Sequence, residues 1–199
     1  MTAQMYLPRF YVRQKLTMMV NRYEIIESLE DGSDGRLMAI AQQRRLAFKE
    51  QVTFYRDEDR TLPVFSFQAR QRLDLGAGYD VRDAEGGHLG SFRKDFGASL
   101  LRSTFQLSAP GLEATGRERN QLVALVRRFV DIPLPFHFDF VDTATGQVVM
   151  TSERQVSLRD RYTVAVLDPR IDFRLAASMA VGLDALLARM LARNPADRP

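Results

Sequence analysis

The sequence contains no cysteine. Disulfides, thiolate metal sites and a cysteine nucleophile are therefore excluded, and the composition suits a reducing cytoplasm, where the chain is expected to act. Long proline, serine or glycine tracts are missing as well, so no linker divides the 199 residues. A chain of that length suits one domain, since single β-barrels and sandwiches reach about 200 to 250 residues. Residues 1–193 are read as one domain and 194–199 as a flexible tail. Met1 to Arg13 lack an apolar run of the length a signal peptide needs. The most apolar stretch, Leu175 to Leu191, is broken by Ser178, Asp184 and Arg189. It falls short of the roughly 20 apolar residues that span a bilayer, so it is read as a buried helix and no transmembrane segment is expected.

Charge of one sign is also in short supply. Lys and Arg number 28 against 25 Asp and Glu, a formal net charge of +3. A nucleic-acid domain usually gathers basic residues more strongly on one face, so no nucleic-acid partner is expected, while a mild preference for anionic partners remains.

Motifs that carry chemistry are scarce. Gly76-Ala77-Gly78 and Gly86-Gly87 lack the lysine and the strand-to-helix context of a nucleotide loop, and are read as turns. Arg56-Asp57-Glu58-Asp59-Arg60, with Glu50 nearby, lacks the alternating oxygen ligands and glycine of an EF-hand loop. It reads as a solvated turn, and neither a metal nor a cofactor is expected. Ser99 and Ser103 sit in no nucleophile elbow. His137 and Asp139, two apart in a strand, share one face and could transfer a proton or hold a metal. Alternation alone already demands polar residues there, so the pair is read as a polar outer face. His88 has no evident partner, and no catalytic residue is assigned.

What the sequence does have is repetition. Tyr23-Glu24-Ile25-Ile26-Glu27 turns through Asp31-Gly32-Ser33-Asp34-Gly35 into Arg36 to Ile40. Tyr79-Asp80-Val81-Arg82-Asp83 turns at Glu85-Gly86-Gly87 into His88-Leu89-Gly90, and Phe136 to Asp142 turns at Thr143-Ala144-Thr145-Gly146 into Gln147 to Met150. Alternating apolar and polar residues flanking Asp- and Gly-rich turns predict antiparallel hairpins. Further period-two runs cover Phe10 to Leu16, Phe48 to Tyr55, Val64 to Ala69, Ser103 to Leu107 and Arg161 to Leu167. Together they suggest about ten to twelve strands, enough for a sheet to curl or close.

Two segments depart from period two. Leu122, Leu125, Val126 and Phe129 recur at helical spacing, predicting an amphipathic helix over Glu118 to Val130. Asp168-Pro169 signals a helix start, and from Ile171 onward apolar residues point in nearly every direction around the axis. A helix apolar all round belongs in a core. The predicted fold is mainly β: a closed antiparallel barrel of about twelve strands around one buried C-terminal helix.

Serial Tyr-x-Val/Ile hairpins followed by one apolar C-terminal helix resemble the LURP-one-related proteins, relatives of the tubby C-terminal domain and of phospholipid scramblases. The resemblance rests on Arg13-Gln14-Lys15-Leu16, Tyr79-Asp80-Val81-Arg82-Asp83 with Gly86, Ser99-Leu100-Leu101-Arg102-Ser103-Thr104-Phe105, and the helix Arg174 to Leu191. It implies a twelve-stranded, tubby-like barrel threaded by that helix, and an affinity for phospholipid or phosphoinositide headgroups.

Three readings of function follow. The first is a non-enzymatic domain that binds an anionic headgroup or phosphorylated ligand peripherally at a membrane surface, since arginine offers a planar fork for phosphate. Its candidate residues are Arg70 and Arg72 on one strand face, Arg93 and Lys94 near a strand end, and Arg127 and Arg128 on the predicted helix. The second is a protein-interaction barrel, docking a partner on a strand edge or on the Leu122 to Phe129 helix. The third is a small-molecule enzyme around His137 and Asp139.

Overall fold

The computed structural model of the chain describes residues 4–16, 20–44, 51–70, 78–95, 104–119, 137–155 and 161–192. The alternating runs form twelve strands. They are β1 (Arg9–Leu16), β2 (Val20–Ser28), β3 (Asp34–Arg44), β4 (Gln51–Tyr55), β5 (Pro63–Ala69), β6 (Tyr79–Asp83), β7 (His88–Asp95), β8 (Thr104–Ala109), β9 (Leu112–Glu118), β10 (His137–Asp142), β11 (Val148–Gln155) and β12 (Arg161–Val166). Each pairs antiparallel with its neighbours in sequence, and β1 also pairs with β12, so the sheet closes into a barrel. Every described strand then has a hydrogen-bonded neighbour on both sides. The expected docking of a partner on a free strand edge has no edge to use.

Register sorts the side chains, because directly opposed residues share a face. Val12 stands between Tyr162 and Ile25, and Phe92 between Tyr79 and Leu107. These residues are all buried, and their rows point into the lumen. The lumen is filled by helix α1 (Phe173–Ala192), whose residues from Phe173 to Leu183 are buried. Phe173 meets Phe10 and Phe65 edge-on, and Phe92 stacks on Tyr79 at a centroid distance of 5.1 Å. Each fully buried Leu, Val or Phe side chain contributes about 1.5–3 kcal/mol of transfer free energy. The barrel and its helix are therefore one core rather than a shell with an insert.

The helix begins at Phe173, later than the Asp168-Pro169 signal suggests. Asp168 is occupied in a turn, accepting hydrogen bonds from the backbone and side chain of Arg170. Asp172 is the N-cap: its Oδ1 accepts from the Arg174 amide, and its carboxylate also pairs with the Arg174 guanidinium at 2.7 Å, both side chains about 5% exposed. The arm before β1 fastens this start, with the Met5 amide donating to Asp172 Oδ2 and the Phe173 amide to the Met5 carbonyl.

The three predicted hairpins correspond to β2–β3, β6–β7 and β10–β11. Strand β9 was not predicted, because its lumen residues Leu112, Ala114 and Gly116 shrink along the strand and mute the alternation. A Cβ on Gly116 would run into the Phe140 ring, so the small residue is what admits the large one. The helix predicted over Glu118 to Val130 begins where β9 ends, and its span from 120 onward lies outside the described residues.

Candidate functional site

Five tight turns, after β2, β4, β6, β8 and β10, share one rim with the segment that follows β12. Toward the other ends of the strands, cations collect on the outer face. Arg70 follows β5 directly, and its amide donates to the Gly78 carbonyl at 3.0 Å. Gly78 precedes β6 and lies beside Arg93 of β7: a Cβ there would meet Arg93 Cβ at 3.1 Å and the Phe92 carbonyl at 3.2 Å. Its φ of +82° also disfavours any other residue. The glycine thus lets the strands pack closely between two arginines that stand two strands apart, about 10 Å at ordinary strand spacing.

The row continues outward. Arg93 opposes Gln106 of β8, which opposes Thr115 of β9, and Arg117 stands two residues further along β9. Arg93 and Arg117 are exposed and, among the described residues, make no ion pair. Arg70 is half-exposed and bound to Asp80 at 2.7 Å, with His88 Nε2 at 3.6 Å from the same oxygen. Partial burial works against the charge on Asp80, but the hydrogen bond and charge of Arg70, with His88, outweigh it and hold its carboxyl below the usual range.

Arg70 and Arg93 therefore lie in one row on the exterior, with Gly78 between them. Lys94 does not join them. It shares the lumen face with Phe92 and is 6% exposed, so it is no part of an outer patch. Arg72, Arg127 and Arg128 lie outside the described residues.

A second group of cations escaped the sequence reading. Arg13, Lys15, Arg22 and Arg161 lie on the exterior of β1, β2 and β12. Glu24, 6% exposed, takes Lys15 at 2.7 Å, Arg22 at 3.1 Å and Arg13 at 3.8 Å. Arg13 and Arg161 converge on Asp34, Arg22 also reaches Glu58, and Arg161 lies over the Tyr11 ring. The signal was available: Arg13 and Lys15 alternate on one strand, and Arg22 opposes Lys15 in the hairpin. Four cations surrounding three carboxylates nearly neutralise one another, so this network fixes the sheet more than it offers charge to a ligand.

His137 and Asp139 share the outer face as expected. Arg119 grips Asp139 through two nitrogens at 2.8 and 2.5 Å and reaches Glu153 at 3.2 Å; His137 Nδ1 stands 3.8 Å from the same glutamate. The hydrogen bonds of Asp139 hold the Arg119 guanidinium protonated well above its ordinary range. Asp139 is thereby committed to an arginine rather than to a proton-transfer partner. Among the described residues no group of His, Asp or Glu is arranged to hold a metal, and no helix is long and apolar enough to cross a membrane.

Comparison with known proteins places residues 37–184 in the family model described as LURP-one-related. A search of curated proteins returned no match.

Proposed function

The chain belongs to the LURP-one-related family, and on that premise we propose that it is a non-enzymatic binding domain for an anionic, phosphorylated ligand, of which a phospholipid or phosphoinositide headgroup is the leading class. The observation that carries the reading is the pair of exposed arginines, Arg93 and Arg117, that make no ion pair among the described residues and stand on either side of the uncharged strand β8. Guanidinium groups so placed can bind phosphate oxygens in a bidentate manner without first surrendering a carboxylate. The kinship with tubby-like and scramblase-like proteins that the sequence resemblance implies supports a lipid rather than another phosphate ester. Residues 1–193 act as one domain in this reading, in the cytoplasm and peripherally at a membrane surface. Arg72, Arg127 and Arg128 extend the candidate patch on sequence grounds.

Co-sedimentation with neutral vesicles and with vesicles carrying phosphoinositide, at low and high salt, tests it. Salt-sensitive binding to the anionic vesicles alone is expected, lost in Arg93→Gln/Arg117→Gln with the melting temperature unchanged. Competition by free inositol phosphate separates headgroup recognition from general attraction to a charged surface. Absence of binding at low salt, where attraction is strongest, would refute the reading.

A further inference from the structure

The hairpins β2–β3, β6–β7 and β10–β11 stand four strands apart around the barrel, and one arrangement recurs in each. A buried aromatic residue faces the lumen: Tyr23 of β2, Tyr79 of β6 and Phe138 of β10. The next residue, on the outer face, is a carboxylate: Glu24, Asp80 or Asp139. Each carboxylate is held by a cation from the preceding strand or just beyond its end. Lys15 reaches Glu24 at 2.7 Å, Arg70 reaches Asp80 at 2.7 Å and Arg119 reaches Asp139 at 2.5 Å. The registers agree as well. Lys15 opposes Arg22, the Arg70 amide donates to the Gly78 carbonyl and the Arg119 amide to the His137 carbonyl, so each cation sits across from the residue just before the aromatic. The three ion pairs therefore occupy equivalent positions of a repeated unit.

What differs is the residue directly across from the carboxylate. Arg13 faces Glu24, Gln68 faces Asp80 and Arg117 faces Asp139. Directly opposed side chains have Cβ atoms about 4.5–5.5 Å apart, close enough for an ion pair. Arg13 has turned to carboxylates, lying 3.8 Å from Glu24 and pairing with Asp34. Arg117 has not: it is exposed and makes no ion pair among the described residues. The clamps account for the difference. Lys15 meets Glu24 through one ammonium contact, and the carboxylate collects Arg22 and Arg13 besides. Arg119 takes both oxygens of Asp139, at 2.8 and 2.5 Å. A planar fork matched to both oxygens satisfies a carboxylate more fully than a point charge does.

We propose that Arg119 is a positioning residue for the ligand site: by occupying Asp139 it keeps Arg117, which faces that carboxylate, free to meet a phosphate. The role in binding rests on the headgroup reading above; the arrangement of the three side chains does not. The Arg119 guanidinium is itself committed to Asp139 and Glu153, so it serves the site through Arg117 and not by contact with the ligand. Without Arg119, Arg117 turns onto Asp139 as Arg13 has turned toward Glu24.

Two measurements on the full chain test this. In the ligand-free, isotope-labelled protein, the arginine guanidinium resonances are followed by NMR, with Arg117 assigned by its loss in Arg117→Gln. Arg117 should rotate freely in the parent, be restrained in Arg119→Gln, and rotate freely again in Arg119→Gln/Asp139→Asn. With vesicles carrying phosphoinositide, Arg119→Gln should weaken co-sedimentation about tenfold, the scale of one charge-assisted contact. Arg119→Gln/Asp139→Asn should recover it. Arg119→Gln/Glu153→Gln has the same net charge as that rescue but keeps Asp139, and should stay weak, which separates release of Arg117 from general attraction to the surface. Circular dichroism verifies that each variant is folded. An Arg117 that still rotates freely in Arg119→Gln, or equal recovery by the Asp139 and Glu153 substitutions, overturns the proposal. So does vesicle binding kept in Arg119→Gln but lost in Arg93→Gln/Arg117→Gln, an outcome that leaves the headgroup reading standing. Binding absent from the parent refutes the headgroup reading and with it the role of Arg119 in binding, while the resonances still decide whether Arg119 holds Arg117 off Asp139.

Discussion

Replacing Gly182 with alanine tests whether the helix and the sheet fit as one core. Gly182 lies in the helix interior, where alanine is intrinsically better by about 1 kcal/mol. A Cβ there would stand 2.6 Å from Phe92 Cε2 and 2.9 Å from Cζ. The ring cannot swing clear, because it is stacked on Tyr79 and held edge-on by Phe67 at 5.5 Å. Forcing a methyl into such a site costs about 1–3 kcal/mol, and the rigid ring puts Gly182→Ala at the upper end. The expected net loss is about 1–2 kcal/mol, which for a chain of this size lowers Tm by roughly 2–8 °C. The protein has no tryptophan, so urea unfolding is best followed by far-ultraviolet circular dichroism. Phe92→Leu should then rescue part of the loss, giving a coupling energy of about 0.5 kcal/mol or more in a double-mutant cycle. A Gly182→Ala protein as stable as the parent would show that the ring yields and that the helix is held less tightly than argued.

Three further outcomes are expected. Asp172→Ala removes the N-cap and leaves Arg174 without its buried carboxylate, costing about 3–5 kcal/mol, with Asp172→Asn milder; denaturant titration measures both. Tyr11→Phe deletes the hydroxyl that donates to the Gly32 carbonyl at 2.6 Å and meets Ser28 Oγ at 3.0 Å, for about 1 kcal/mol by denaturant titration and no change in vesicle binding. Acid should destabilise the fold through two rim carboxylates. The Ala144 amide, with Arg170, holds Asp142 below its ordinary range, and the hydrogen bond from Arg170 does the same for Asp168. Because their folded values are lowered, the stability they contribute is complete above the unfolded carboxylate pKa of about 3.9 and is lost as pH falls through the folded values. Chemical denaturation between neutral and strongly acidic pH should show a shallower decline in Asp142→Asn/Asp168→Asn than in the parent.

The architecture was legible because most strands alternate strongly and one helix is apolar all round; those signals are local and tertiary contacts only reinforce them. Strand β9 was illegible for a tertiary reason, since Gly116 is small to admit Phe140 from the neighbouring strand. The helix start was misread by four residues because Asp168 and Asp172 carry the same local signal and only the contacts of Met5 and Arg174 tell them apart. Arg70 and Arg93 could be picked as exterior cations, but their alignment on either side of Gly78 depends on the register of three strands. Lys94 was readable and missed: two residues after Phe92, it had to share the lumen face. The burial of Glu24 under three cations drawn from two strands has no signature in any one segment.

The order of synthesis adds a constraint. The first strand closes the barrel against the twelfth, and the segment that fills the lumen is made after both. While the ribosome is producing the strands, their lumen faces have no helix to cover them and β1 has only one partner. Hairpins can form during translation, but the cooperative core cannot. Truncation anywhere before Leu183 should therefore yield aggregation-prone sheet rather than a smaller stable protein, and the chain's exposure to chaperones should be longest just before α1 emerges.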